Sequence, residues 1–462
     1  MNSSEYIIAL KSTFYAVPPQ ETYIEKLQET KSNQPLVLFL ILVTVPLEGL
    51  HVHLRGNGKQ WRLSVAMNNM LVGAFTIAWN LFFLRGLELL VYIWCYNNIR
   101  IAHLPWNSFY TYVIAVIGVD FCTYWWHRLS HEVAFLWAAH STHHSGEDYN
   151  LSCGARISAL VRLTKWMYFV PLGMLGVPPS IFAMHVQLNF ACALWSHSLM
   201  TPNISKIIPG LGQLIEFIMV TPSNHRVHHG VNKYALDKNY GMLFIVWDRM
   251  FGTFTEERED EPIVYGTVSQ MDTFHTLGIQ LKPYQQLYQK MKAMKTGGDR
   301  LRTLFYGPGW SPGKPRLGAE EDIPDIVRRE QLEQSLPFWL NLYLAFQTAV
   351  VVFLVKDMGV RVETFGLWLS FVNFGIILSA CISLGALHDS NYHAVWLEPL
   401  RLIIFMVASH LYPMLSSHLI TTWVSAVCLG SLLFWPLLRD HLHSLHASST
   451  SAQNGVVRNK TK

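Results

Sequence analysis

WNSFYTYVIAVIGVDFCTYWWHRLSHEVAFLWAAHSTHH, residues 106–144, decides how this chain is read. Its first half, Trp106 to Trp126, is an apolar run of the length needed to cross a bilayer as a helix. The run ends directly on His127. His131 follows four residues later, so on a helix both imidazoles lie on one face, one turn apart. His140, His143 and His144 repeat that logic at i, i+3 and i+4, and His225, His228 and His229 repeat it again in TPSNHRVHHG. One such pair is commonplace on helix surfaces; three clusters, two of them HxxHH, point to metal. Eight imidazoles exceed the four that a single tetrahedral zinc uses, so two metals are expected. Imidazole suits zinc, copper, iron and nickel alike. A pair of irons beside lipid suits activation of dioxygen for attack on an unactivated C–H bond, whereas zinc offers no redox route.

Working outward, the rest of the chain supports a membrane setting. Of 462 residues 51% are hydrophobic and 14% charged, well below the charged share of roughly 25% usual for soluble domains. Trp166 to Met200 is apolar and broken by Gly-Val-Pro-Pro-Ser at 176–180, which predicts a helical hairpin returning to its side of entry. Such a hairpin would bring His225 back beside His127. It also makes His197 a candidate ninth ligand, with a lone interfacial histidine as the alternative. His185, deeper in the hairpin, is read as an ordinary core histidine, and His51, His53, His103 and the histidines from His388 onward lack clustering. The run Leu63 to Tyr96 is interrupted by Arg85 and Glu88 and allows either one long tilted helix or a broken pair. Pro35 to Leu47 is short for a span. Further spans are expected near 337–355, 364–387, 397–416 and 419–437.

Most of the remaining charge lies in 201–335, expected outside the membrane and cytosolic by the positive-inside rule. The first residues, MNSSEYIIALKSTFYAVPPQE, lack the pattern of a cleaved signal, so insertion is expected to rely on internal spans. The six cysteines are scattered in apolar surroundings and read as free buried thiols. A net charge of +4 gives no case for nucleic acid and is compatible with an anionic lipid surface.

Asp120, seven residues before His127 near the end of an apolar span, is costly unless paired or functional. It is a candidate for orienting an imidazole N–H, with pairing to Arg128 as the alternative. Glu132, Glu147, Asp148 and Asn150 flank the clusters and are further candidates of that kind. FYGPGWSPGKPRLG, residues 305–318, is not a phosphate loop, since Pro308 and Pro315 stand where it needs Gly and Ser or Thr. It reads as a rigid extramembranous turn region that covers or shapes the site. No fused electron carrier is visible, so reducing equivalents are expected from a separate donor.

The strings WWHRLSH, HSTHH and HRVHH, with KNYG at 238–241 and WDRMFGTF at 247–254, resemble the fatty acid hydroxylase and sterol desaturase superfamily of membrane di-iron enzymes over about residues 105–255. EDYNLS at 147–152 and YGPGWSPGKPRLG at 306–318 look like its alkylglycerol monooxygenase branch. The resemblance implies an all-α, multi-pass protein of the endoplasmic reticulum with a histidine-rich cytosolic di-iron cap and a C-terminal membrane bundle. It implies two iron ions, dioxygen as co-substrate, tetrahydrobiopterin, an ether-lipid substrate in the bilayer and an external pterin-recycling system. No motif carries the pterin site. Expected regions are an N-terminal membrane region (1–104), the catalytic domain (105–255), an extramembranous segment (256–335), the transmembrane bundle (336–438) and a disordered tail (439–462). The alternatives are a sterol or fatty-acyl hydroxylase or desaturase on the same metal core, and a zinc-binding membrane transporter.

Overall fold

The computed structural model describes residues 11, 16–30, 34–56, 58–84, 86–332, 336–361, 364–412 and 415–444. Among them every regular element is helical, and strand pairing is limited to two isolated bridges, Met219 with Phe244 and Gly230 with Tyr265. In chain order the principal helices are α1 (Gln34–Leu54), α2 (Leu63–Trp79), α3 (Leu87–Ile99), α4 (Phe109–Glu132), α5 (Ala134–His144), α6 (Val161–Leu175), α7 (Pro179–Ser196), α8 (Leu211–Ile218) and α9 (Pro222–His228). They continue with α10 (Val246–Phe251), α11 (Thr276–Ala293), α12 (Gly297–Phe305), α13 (Phe338–Val360), α14 (Leu367–His388), α15 (Ala394–Leu411) and α16 (His418–Leu433). They fall into two compact units, one of Met1–Ala66, Gly86–Met271 and Gln280–Gln331, the other of Met67–Arg85, Asp272–Ile279 and Leu332–Lys462.

The first unit is built around α4, whose 24 residues span about 36 Å at helical rise. Ala115, Val119 and Cys122 of α4 pack with Tyr92 of α3, Phe169 and Leu172 of α6, and Ile181 and Phe182 of α7. The predicted hairpin forms. Gly176 ends α6 at φ +103°, where a Cβ would also lie 2.1 Å from the Ala102 carbonyl, so only glycine serves here. Pro179 then opens α7 at a position that needs no N–H donor. Both arms pack against α4, and α7 ends at His197. Glu48, fully buried on α1, accepts the N–H groups of Leu151 and Leu199 at 2.8 Å each, tying the loops after His144 and His197 together.

The second unit holds helices of membrane length. Four stretches have the length and hydropathy to cross a bilayer, Leu63–Leu84, Phe338–Gly359, Leu367–His388 and Ala394–Leu411, with a fifth if the bent pair His418–Leu433 and Trp435–Ser444 is one span. The choice left open at 63–96 resolves as a broken pair: α2 widens into a π-type turn at Asn80–Leu84, and Gly86 at φ +79° starts α3 anew. α4 and α7 fall outside that set of candidate spans because their polar residues dilute the hydropathy, and α6, at 15 residues, because it is too short. A buried polar knot joins α13 to α16: Arg401 donates to Glu398 (Nε–Oε2 2.8 Å) and to Gln347 (2.9 Å), Ser383 to Glu398 (2.6 Å) and Gln347 to Ser431 (2.7 Å). Of the tail expected from 439, residues 439–444 are helical and the remainder lies outside the described residues. All six cysteines are free and buried, as their apolar settings suggested.

Candidate metal centre

Nine histidines converge in the first unit, in two groups. His127, His131, His140, His144 and His228 form one; His143, His197, His225 and His229 form the other; within each, the nearest ring nitrogens lie within 4.8 Å of one another. The groups abut, since the rings of His144 and His229 stack with centroids 4.4 Å apart. The C-terminal turn of α4 supplies the first pair, α5 distributes its three imidazoles to both groups, and α9 does the same with His225, His228 and the following His229. His197 is brought in by the end of α7, its Nε2 3.1 Å from that of His225. His185 stays outside, its ring edge-on to Tyr112 at 5.0 Å.

Hydrogen bonding fixes the chemistry of the rings. A carbonyl oxygen can only accept, so an Nδ1 bonded to one carries the proton and leaves Nε2 a lone pair. This holds for His127 on the Tyr240 carbonyl (2.8 Å), His228 on Lys238 (2.9 Å), His143 on Arg156 (3.1 Å) and His197 on Ala193 (2.9 Å). His131 Nδ1 instead meets the Asp237 carboxylate at 3.0 Å. The Nε2 atoms of His127, His131 and His228 are buried and have no hydrogen-bond partner. A buried polar atom without a partner costs about 1–3 kcal/mol, which a cation shared among them would repay. Neighbouring Nε2 atoms lie 3.1 to 3.4 Å apart in His225–His197, His229–His225, His144–His140 and His197–His143. Ligands about 2.1 Å from one metal are separated by about 3.0 Å in octahedral and about 3.4 Å in tetrahedral geometry. The donor set therefore fits two metal ions. Burial, aided by mutual repulsion, holds His140, His144, His225, His228 and His229 well below the usual imidazole range and His143 at about 4, so at physiological pH they are neutral rings able to offer a lone pair.

The carboxylates do other work than the sequence suggested. Asp120 touches no imidazole: it accepts from Asn189 Nδ2 (2.8 Å), the N–H groups of Leu243 (2.8 Å) and Phe244 (3.0 Å), and Trp247 Nε1 (2.9 Å). With four donors at full burial it anchors the 243–247 segment to α4 and α7. Nor does it pair with Arg128, whose partner is Glu132 at 2.7 Å. Glu132 also meets Arg316 at 3.2 Å, so it points away from the rings toward the 306–318 turn. That turn is fastened to the start of α5 where Ala134 N donates to the Tyr306 carbonyl at 2.8 Å. Glu147 and Asp148 are taken by Arg62, and Asn150 caps the turn Leu151–Ala155.

The orienting groups that sequence reasoning missed come from one short segment. Asp237, Lys238 and Tyr240 hold His131, His228 and His127 in turn. Asp237 and Asn239 both adopt φ +57°, a conformation that Asp and Asn tolerate. Asn239 staples the segment to the Asn224 and Thr255 carbonyls (3.0 and 2.7 Å). Asp248 accepts the N–H groups of Tyr240 and Gly241 at 2.7 Å each and the Thr253 hydroxyl at 2.6 Å. KNYG and WDRMFGTF were the available signal, although nothing in their spacing reveals which atoms turn toward the metal centre. Trp137, Tyr240 and Tyr149 wall the rings, with centroids 4.9 Å from His131, 5.2 Å from His131 and 5.4 Å from His229.

The fatty acid hydroxylase family model matches residues 112–253, which contain all nine histidines. The alkylglycerol monooxygenase of Homo sapiens is 36% identical over 418 residues, covering 87% of this chain and 89% of its own length. That of Danio rerio is 34% identical, covering 92% and 93%. The Delta(7)-sterol-C5(6)-desaturase of Nicotiana tabacum is 28% identical over 35% of this chain. No solved structure matches the chain.

Proposed function

The chain belongs to the alkylglycerol monooxygenase family, and from that membership together with the two imidazole groups we propose that it cleaves the O-alkyl bond of alkylglycerols and lyso-ether phospholipids in the endoplasmic reticulum membrane. The observation that carries the reading is the convergence of nine buried or half-buried imidazoles into two groups, with the Nε2 atoms of His127, His131 and His228 left without a partner. We propose that all nine histidines are ligands, five to one ion and four to the other, within a catalytic domain at 105–255 flanked by the N-terminal membrane region and the C-terminal bundle.

Two irons held there would supply activation of dioxygen, with tetrahydrobiopterin as the two-electron donor and a separate system to recycle it. One oxygen atom would be inserted into the C–H bond of the ether-linked carbon to give a hydroxyl, and the other would leave as water with the two electrons from the pterin and two protons. The hemiacetal so formed collapses to a fatty aldehyde and a glycerol derivative. The chain's own residues keep the ligands neutral, lock their ring orientations through the 237–240 segment, and exclude water with Trp137, Tyr149 and Tyr240. The lysine and arginine content of 201–335 supports a cytosolic location for the centre.

The test is aldehyde release from a 1-O-alkylglycerol by the purified protein in bilayers under oxygen, with and without tetrahydropterin. Turnover indifferent to pterin and dependent on a cytochrome donor would instead favour a sterol or fatty-acyl hydroxylase. Zinc as the sole metal, with no iron-dependent activity, would favour a transporter.

A further inference from the structure

The segment ISKIIPGLGQLIEFIM, residues 204–219, immediately precedes the ligand-bearing α9 and turns an apolar face outward. A one-turn helix, Ile204–Ile207, packs against α8, and the Ile204 N–H donates to Glu216 Oε1 at 2.6 Å to clasp the two. Ile207, Ile208, Leu211, Leu214 and Phe217 are between 47% and 58% exposed. Leu211, Leu214 and Ile218 fall at i, i+3 and i+7, one stripe of α8. The segment's two charged side chains are engaged elsewhere, Lys206 with Glu259 and Glu216 with the Ile204 backbone.

This face does not end at α8. The Arg249 guanidinium covers the Phe217 ring at 4.6 Å, and beside it Met250 and Phe251 of α10 are exposed. Trp247 and Phe251 meet Phe121 of α4 at 5.1 and 6.4 Å, and Phe121, Ile117 and Tyr110 form the exposed apolar side of that long helix. The surface is therefore continuous from α8 to the outer wall of α4, about 9 Å along the helix from His127. Such a helix, apolar on one side in a chain with several candidate spans, has the form that lies in the plane of a bilayer interface.

The same segment is coupled to the metal centre. Val220 N donates to the Leu243 carbonyl at 2.9 Å and Ile245 N to the Ile218 carbonyl at 3.0 Å. The end of α8 is thus fixed to the stretch that continues from the imidazole-orienting residues 237–240, and Thr221 then caps α9. We infer that residues 204–219 form a hairpin seated in the interfacial layer of the phospholipid bilayer, through which the substrate lipid passes from the membrane to the histidines. The seat stands on the exposed face alone; the passage rests on the reading of an ether lipid as substrate. This revises the expectation that all of 201–335 is extramembranous.

The test uses the full-length protein in phosphatidylcholine nanodiscs, with Leu214→Cys carrying an environment-sensitive fluorophore; the six native cysteines are buried. Nitroxide placed shallowly on the lipid chains should quench this probe several-fold more than aqueous iodide does. Quenching by iodide alone overturns the seat. Shielding from both quenchers, with disulfide trapping between copies, overturns it in favour of a second copy of the chain. For the passage, the double variant Leu214→Glu, Phe217→Glu should lose at least about ten-fold in kcat/KM for a long-chain alkylglycerol dispersed in bilayers, and keep its rate on a short-chain, water-soluble one. Equal loss on both, or no loss, overturns the passage. Absence of ether cleavage by the unaltered protein would instead overturn the proposed function, while the quenching result stands apart from it.

Discussion

Replacing Asp237 by glycine isolates the one imidazole-orienting group that is a side chain and so can be removed without touching the backbone. His131 Nδ1 donates to its carboxylate at 3.0 Å, and the carboxylate is 54% exposed. Loss of such a partner costs roughly 10- to 100-fold in metal affinity or activity. Exposure lets water take the vacated place, which puts the expected loss near the lower end, about ten-fold or about 1.4 kcal/mol. Glycine is the right replacement because Asp237 sits at φ +57°; alanine there would add about 1 kcal/mol of backbone strain and confuse the result. Asp237→Asn tolerates the same backbone and keeps an acceptor oxygen, so it should fall between wild type and glycine. The assay is metal retention against a graded chelator, with aldehyde release measured in parallel. If Asp237→Gly retained metal within two-fold of wild type, packing against Trp137 alone would be orienting His131, and the assignment of Asp237 as its orienting group would fail.

His228→Ala should abolish turnover while the protein still inserts, whereas His443→Ala, whose ring meets Tyr392 far from the imidazole groups in sequence, should be nearly silent in the same aldehyde assay. His197→Ala should lower bound metal from two ions per chain toward one by elemental analysis, and His185→Ala should leave two. Asp120→Ala leaves four buried donors without an acceptor and should destabilise the folded protein by about 3–5 kcal/mol, read as a lowered thermal midpoint in detergent. Burial raises the Asp248 carboxyl from 3.8 to about 6. A raised carboxyl stabilises the fold fully below its unfolded value and loses that contribution as pH rises through its folded one. The stability difference, wild type minus Asp248→Asn, should therefore shrink as pH rises from about 4 to about 7, by at most about 3 kcal/mol, read from thermal or denaturant unfolding at each pH; a difference that grew would reverse the assignment.

Histidine spacing and apolar length made eight of the nine rings, the hairpin and the C-terminal helices legible, because helical periodicity and bilayer thickness are local constraints written along the chain. His197 was reachable as well, since a hairpin at 166–200 has to deliver its far end to the histidine side. The roles of the acids were not. Asp120 and Glu132 stand beside ligands in sequence, yet their partners lie at Leu243, Phe244 and Trp247 in one case and Arg316 in the other. Nothing in the sequence sets Asp237 apart, and only folding brings it against His131. The division of rings also crosses the sequence clusters: α5 gives His140 and His144 to one group and His143 to the other. The sequence by itself determined that this chain gathers imidazoles at the ends of apolar helices, because ligand type and helical period are local properties. Only the tertiary structure decided how the rings are shared and which atoms orient them, because a hydrogen bond between residues more than a hundred positions apart depends on where the whole chain returns.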